Sequence, residues 1–487
     1  MGKNIFFLLV GIVLVLAGCT MAPKYVQPAA PIPSDWPSGT AYEQSQASTN
    51  ALTVPDLRWQ EFFTDEKLQQ VIAMALTNNR DLRLAALNVE LARSLYGIQR
   101  NQLYPTVYAT ASGGKQHSSA DLTQPGDSQT TERYDVNLGV FSWEIDFFGR
   151  LRSLKDRALE EYLATEQARR SAQILLVSAV ANAYLAVAAD RENLILARTT
   201  FQSQKAAYDL VQRQFAVGIA TKLDLRQAQT PMETARRNIA LFTQRVAQDE
   251  NALNLLVGTW VPARLLPAEL SRVNPPHEIS PGISSEVLLR RPDVLQAENM
   301  LKAANADIGA ARAAFFPRIS LTTIIGTSSN DLSGLFKAVS GTWSYAPQIV
   351  MPIFDSRTWS AQEAANLQRE IAVTQYEKTI QNAFREVADA LAMRGTVDQQ
   401  VSAQQSLVNA LAETHRLSTA RYEKGIDSYL SVLVAQRSLF AAQQVLVSLR
   451  LAGLTSQVQL YAVLGGGWET EPEHGSVAMS ASSPDPG

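Results

Sequence analysis

The chain has 487 residues, 46% of them hydrophobic and 18% charged, with a net charge of −3. There is no basic excess of the kind that nucleic-acid binding requires, so nucleic acid is not an expected partner. A single cysteine excludes an internal disulfide and any thiolate metal cluster.

The N-terminus sets the compartment. Met1–Asn4 carries Lys3, and Ile5–Ala17 is a run of 13 residues that is apolar apart from Gly11. That is too short to cross a bilayer, which takes about 20 residues, and it suits the core of a secretory signal. The run ends in Leu16-Ala17-Gly18-Cys19, which resembles a bacterial lipoprotein signal, cut before Cys19 so that the thiol receives a lipid. An ordinary signal followed by an incidental cysteine is the alternative. Thr20 stands where an Asp would suggest retention at the inner membrane, which favours the outer membrane. Residues 1–18 therefore read as a signal peptide, and 19–56, rich in Pro, Ser, Thr and Gln, as an extended lipid-anchored strap. No later segment reads as an 18-residue apolar span. Any further crossing of a membrane would have to use strands of a closed barrel.

Residues 57–258 read as helix, strand pair, long helix, tight turn and helix. The strand pair, about 105–147, comprises Pro105–Gly113 and Tyr134–Phe147, both rich in β-branched and aromatic residues, around a polar loop at Lys115–Thr131. From Leu151 to Phe215 there is no proline, and so many helical residues would reach about 100 Å. A turn at about 216–222 follows. The helix after it carries a seam of alternating 3- and 4-residue steps at Leu225, Ala228, Met232, Ala235, Ile239, Phe242, Val246, Asp249, Leu253 and Leu256. Such a seam calls for helices packed side by side as in a coiled coil. Residues 259–284 are a Pro-rich linker. Residues 285–465 repeat the pattern, with a strand pair at about 317–354 (Arg318–Thr327 and Trp343–Phe354), a proline-free stretch from Ser356 to Tyr422, a turn at about 423–429, and a seam from Val432 to Val463. Residues 466–487 are a polar C-terminal tail, expected to be partly disordered.

The two halves match position by position. Tyr104-Pro105 corresponds to Phe316-Pro317, Gly97 to Gly309, Phe215-Ala216-Val217-Gly218 to Tyr422-Glu423-Lys424-Gly425, and Val257-Gly258 to Leu464-Gly465. The sequence is therefore read as an internal two-fold repeat. Four strands cannot close a barrel in lipid, since the smallest have about eight, and a lone sheet would leave two edges unsatisfied. The strands must be shared between chains. Two copies would supply about eight and three about twelve, and the number of long helical strips, enough to ring a hollow centre, argues for three.

With Leu16–Cys19, the two aromatic-Pro junctions, the two Gly-containing turns and the closing Leu464-Gly465-Gly466-Gly467-Trp468 in hand, the chain resembles the TolC-like outer-membrane factors, nearest their lipidated OprM-like branch, from Leu57 to Trp468. The resemblance implies a mostly α, mixed fold: a homotrimer whose twelve-stranded transmembrane β-barrel, four strands per chain, continues into a long periplasmic α-helical barrel of twelve strips. It implies a passive exit duct for drugs or other small toxic compounds. Its partners would be a periplasmic adaptor, an inner-membrane transporter of the resistance-nodulation-division type, and outer-membrane lipid. The six turns of the trimer would form the periplasmic mouth, with Val217, Gly218, Thr221, Lys424, Gly425 and Ser428 meeting the adaptor. Leu430 matches a constricting leucine and Asp224 an acidic tip position. Val434 stands where relatives often place an Asp, so closure is expected to rest more on Leu430 and Val434 than on charge, with Asp427 as a substitute carboxylate. Asp224 has Lys222, Arg226, Arg421 and Tyr422 as candidate partners, a solvated surface aspartate being the alternative, and Thr221 and Ser428 are placed to cap the helices that follow or to sit beside the cap.

No histidine pair stands at metal-ligand spacing, and no nucleophile elbow or phosphate-binding loop occurs in a strand–helix setting. No enzyme, metal or cofactor is expected. The alternatives are the outer component of a type I secretion or heavy-metal export system, and a non-channel scaffold lipoprotein.

Overall fold

The computed structural model describes residues 20–42, 52–53, 57–119, 121, 129–280 and 284–466. The signal segment, Cys19 and all but the first residue of the tail lie outside these. The described helices are α1 (Trp59–Phe62), α2 (Glu66–Asn78), α3 (Arg80–Asn101), α4 (Arg150–Ala216), α5 (Lys222–Val257), α6 (Pro292–Ala313), α7 (Ser356–Glu423) and α8 (Tyr429–Val463). The strands are β1 (Leu52–Thr53), β2 (Val107–His117), β3 (Thr130–Ile145), β4 (Ile279–Ser280), β5 (Arg318–Ser329) and β6 (Gly341–Val350). The proline-free stretches are helical without a break for 67 residues in α4 and 68 in α7. Contacts divide the chain into two compact units.

The first unit comprises residues 1–29, 87–166 and 296–377. It holds a four-stranded antiparallel sheet in the order β2-β3-β5-β6. The strands run further into the loops than expected: β2 continues to His117, β3 begins at Thr130, and β6 runs from Gly341 to Val350 rather than to Phe354. Polar residues at these ends hid the extension, because the hairpin is prolonged by the pairs Gln116↔Thr131 and His117↔Thr130 and by a Lys115–Glu132 ion pair. The register aligns one face across all four strands. Ala109, Leu138, Ile325 and Trp343 stand in one row, and Leu321 with Pro347 and Ile319 with Ile349 in others. The opposite face carries Ser112, Asp135, Ser328, Thr322 and Gln348. A bulge between Val140 and Trp143 inserts one residue in β3 and so keeps Trp143 and Ile145 on the apolar face with Val140. Ser142 takes the positive φ of 53° at that bulge, and its N–H donates to Thr322 Oγ1 at 3.0 Å. Both edge strands are exposed along their whole length, and Pro347, which has no N–H to give, lies on one of them.

In the same unit the strap lies along α6. Arg312 donates to the Met21 carbonyl, Asn305 to that of Pro23, and Tyr25 to Glu298. A Cβ on Gly309 would come within 2.8 Å of Ala22, so only glycine lets the strap lie this close. Aromatic pairs form at the helix–strand junctions, where Phe148 stacks on Phe316 at 4.8 Å and Phe315 meets Trp359 edge-on at 5.0 Å.

The second unit comprises residues 30–86, 167–295 and 378–487. The seams are its core: Ala228, Ala235, Phe242 and Leu253 are buried on α5, and Val432, Ala435, Ala442, Leu446, Ser456, Leu460 and Val463 on α8. Phe62 stacks on Tyr461, whose hydroxyl donates to the Leu57 carbonyl at 2.8 Å. Buried Arg291 donates to Asp293, to Glu386 and to the Val463 carbonyl at the end of α8. One sequence expectation is corrected. Both α4 and α8 contain an 18-residue window apolar enough, by composition, to cross a membrane. In α4 that window is core: 61% of it is buried, including Val180, Ala181, Tyr184 and Val187.

Candidate functional site

The two turns joining α4 to α5 and α7 to α8 are built alike. Each long helix ends in a Schellman motif. Gly218 N–H donates to the Phe215 carbonyl and Ile219 N–H to that of Gln214; Gly425 and Ile426 do the same to Tyr422 and Arg421. The motif needs a left-handed residue after the helix, and Gly218 and Gly425 have φ of 81° and 72°. The turns present apolar side chains to solvent, Val217 and Ile219 on one and Ile426 on the other, with Lys424 also exposed.

The helices leaving the turns begin differently. Thr221 is the N-cap of α5, and its side chain accepts from Asp224 N–H while Asp224 accepts from Thr221 N–H at 2.8 Å, a capping box. This corrects the expected partners of Asp224: its bonds go to Thr221, not to Lys222, Arg226, Arg421 or Tyr422. These hydrogen bonds hold its carboxyl below the usual range. Ser428 is the N-cap of α8 but makes no side-chain capping bond. The equivalent of Asp224 is Ser431, which has no carboxylate to complete a box. Arg421 instead pairs with Asp427 at 2.5 Å and lowers its pKa. Tyr429 packs against the Tyr422 ring at 5.1 Å, and burial pushes its hydroxyl up to about 12.

Leu430 and Val434 lie one turn apart on α8 and are 53% and 46% exposed. Both also wall a groove of about 380 Å³ formed with α4 and α5, lined further by Gln204, Pro231 and Asn238. The structure thus brings Leu430 and Val434 to one surface and ties Asp224 and Asp427 into their own turns. Sequence reasoning missed the groove; Pro231, inside α5, was its one visible signal. Among the described residues no cluster of side chains could hold a metal ion.

The model of the family described as "Outer membrane efflux protein" matches residues 71–259 and again 283–466, one match for each half. The antibiotic efflux pump outer membrane protein ArpC of Pseudomonas putida is 47% identical over 472 residues, covering 96% of this chain and 97% of that protein. The toluene efflux pump outer membrane protein TtgC of Pseudomonas putida matches to the same extent. The open state of the MtrE outer membrane channel of Neisseria gonorrhoeae superposes with a TM-score of 0.83 at 36% identity, over 93% of this chain and 99% of that one. With the family model matched in both halves and relatives nearly half identical over almost the whole chain, the chain belongs to the outer membrane efflux protein family: it is the outer-membrane component of an efflux pump, not an enzyme.

Proposed function

We propose that the chain is one third of a passive exit duct, closed by joining strand edges between copies. The observation that carries this is the sheet: β2 and β6 are full-length edges with no partner strand among the described residues, and one face of the sheet is apolar. Strand sense alternates across β2, β3, β5 and β6, so the two edges run in opposite directions. Laying β6 of one copy on β2 of the next therefore continues an antiparallel sheet, and any number of copies closes without a parallel step. In lipid such closure is obligatory. Three copies give about twelve strands, with Trp343, Tyr345, Ile349, Leu138 and Ile325 facing lipid.

Helix faces beside the edges support the same joint. On α3, next to β2, Leu87, Leu91, Leu95 and Ile98 form an exposed stripe; on α7, beyond β6, Trp359, Leu367 and Ile371 form another. Stripes of this kind on helices are normally buried, and a neighbouring copy would cover both. The strap supports lipidation of Cys19. It delivers Met21 to Arg312 near the start of β5, where strands would enter the membrane.

The periplasmic mouth is formed by the turns. Val217, Gly218, Thr221, Lys424, Gly425 and Ser428 meet an adaptor, which connects to an inner-membrane transporter of the resistance-nodulation-division type. Leu430 and Val434 narrow the aperture, and Asp224 and Asp427, already bonded locally, contribute less. The cargo consists of drugs and small toxic compounds, as the names of the antibiotic and toluene pump relatives suggest. Deleting the gene should sensitise the cell to hydrophobic antibiotics and aromatic solvents, and plasmid-borne protein should restore tolerance. Unchanged susceptibility on deletion in a strain without a second such channel would count against this cargo.

A further inference from the structure

The turn that joins β5 to β6 has a fold of its own. Two short 3-10 helices, Leu332–Gly334 and Ala338–Ser340, occupy it, and Ser340 Oγ ties them together by donating to the Gly334 carbonyl at 2.7 Å. Asp331 N–H donates to Ser329 Oγ at 3.2 Å, and a Cβ on Gly334 would come within 2.6 Å of that same oxygen. Ser329 and Ile325 point to one side of β5, because side chains alternate along a strand. The turn therefore lies at the outer end of the apolar face. Leu335 is buried within it, whereas Leu332, Phe336 and Val339 are 66%, 78% and 91% exposed. Large apolar side chains held out together by an ordered turn mark a contact surface. Lys337 stands among them, exposed and with no acidic partner among the described residues. The other charge of the turn, Asp331, lies at its start, as the N-cap of the first 3-10 helix.

The position of the turn along the sheet identifies what it meets. Trp343, Tyr345, Ile349, Met351 and Ile353 form an exposed apolar stripe at alternate positions of β6 and the chain after it. Trp343 and Ile353 are ten residues apart. Extended chain of that length covers about 33 Å, or about 25 Å of height at a strand tilt of about 40°, which is the height of the apolar band of an outer-membrane barrel. The band is complete at Trp343, so the turn beyond it stands at the headgroups of the outer leaflet. We propose that this turn docks on the phosphorylated glycolipid of that leaflet. Leu332, Phe336 and Val339 enter the upper acyl chains, and Lys337 pairs with a phosphate. The inference rests on the reading of the sheet as barrel wall.

The test places a nitroxide at Phe336→Cys and, separately, at Leu138→Cys, in full-length protein in vesicles that contain lipid A. Unaltered protein taken through the same labelling sets the background from Cys19. Oxygen, which gathers among acyl chains, should relax both labels more than a water-borne nickel chelate does. A label at 138 relaxed by the chelate would remove the barrel-wall reading and this inference with it. Oxygen at 138 with the chelate at 336, or a label at 336 shielded from both by a neighbouring copy, would overturn this inference alone. Native mass spectrometry then compares retention of lipid A with that of lipid A stripped of its phosphates. The phosphorylated form should be held about fivefold more tightly, and Lys337→Gln should reduce that preference. Equal retention of the two forms, or an undiminished preference in Lys337→Gln, would overturn the pairing with phosphate and the proposal with it.

Discussion

Asp249 occupies a seam position on α5 whose neighbours at 3- and 4-residue spacing are apolar. Burial, and then the nearby Asp190 carboxylate, push its pKa up from 3.8 to about 6, with Arg245 acting in the opposite direction. An acid whose pKa is raised by folding holds its proton more tightly when folded. Stability therefore falls as pH rises from about 4 to about 6 and stays reduced above that. Asp249→Asn should melt at a higher temperature than the natural protein at pH 7.5 and at a similar one near pH 4; a lower melting temperature at pH 7.5 would contradict this origin of the shift. If the turns form the mouth, Asp427, already paired with Arg421, contributes little to closing it, and Asp427→Asn should change single-channel conductance less than Leu430→Ala, which should raise it. The reverse order in planar bilayers would move the constriction from apolar side chains to charge. Asp249 stood out in the sequence because it breaks an apolar series. Gln204 did not, because one amide in a 67-residue helix reads like any solvated position until its neighbours are known.

Among the elements, the helices were the most legible, since 3-and-4 spacing and the lack of proline both survive in a bare sequence. The turns were legible too, because a left-handed helix stop calls for glycine. The caps were only half legible. Thr221 and Ser428 look alike, but only the first has a carboxylate three residues on. Thr221→Ala should therefore cost about 1 kcal/mol of local helix stability, whereas Ser428→Ala should cost little. Hydrogen exchange of the first-turn amides of α5 and α8 separates the two, and equal loss of protection would refute the asymmetry. Strand ends were misjudged where polar hairpin residues pair. The bulge at Val140–Trp143 was not legible, because one inserted residue simply looks like a break in alternation. The α3 stripe is visible as a pattern, but only the structure reveals that no described residue covers Leu91 or Leu95. If a neighbouring copy covers it, Leu91→Glu should weaken association; an unchanged assembly would leave that face without a role.

At the scale of the molecule, the duplication accounts for most of the fold. Two halves each supply a hairpin and a helical pair, and β3 on β5 joins the hairpins into one sheet with two free edges. Among the described residues nothing pairs with those edges, and the direction of the strands makes each the complement of the other. The most direct measurement is native mass spectrometry of the full-length protein released from detergent. A species of three chains is the expected result. A folded single chain as the dominant species would contradict it, because that chain would have found some other way to satisfy β2 and β6.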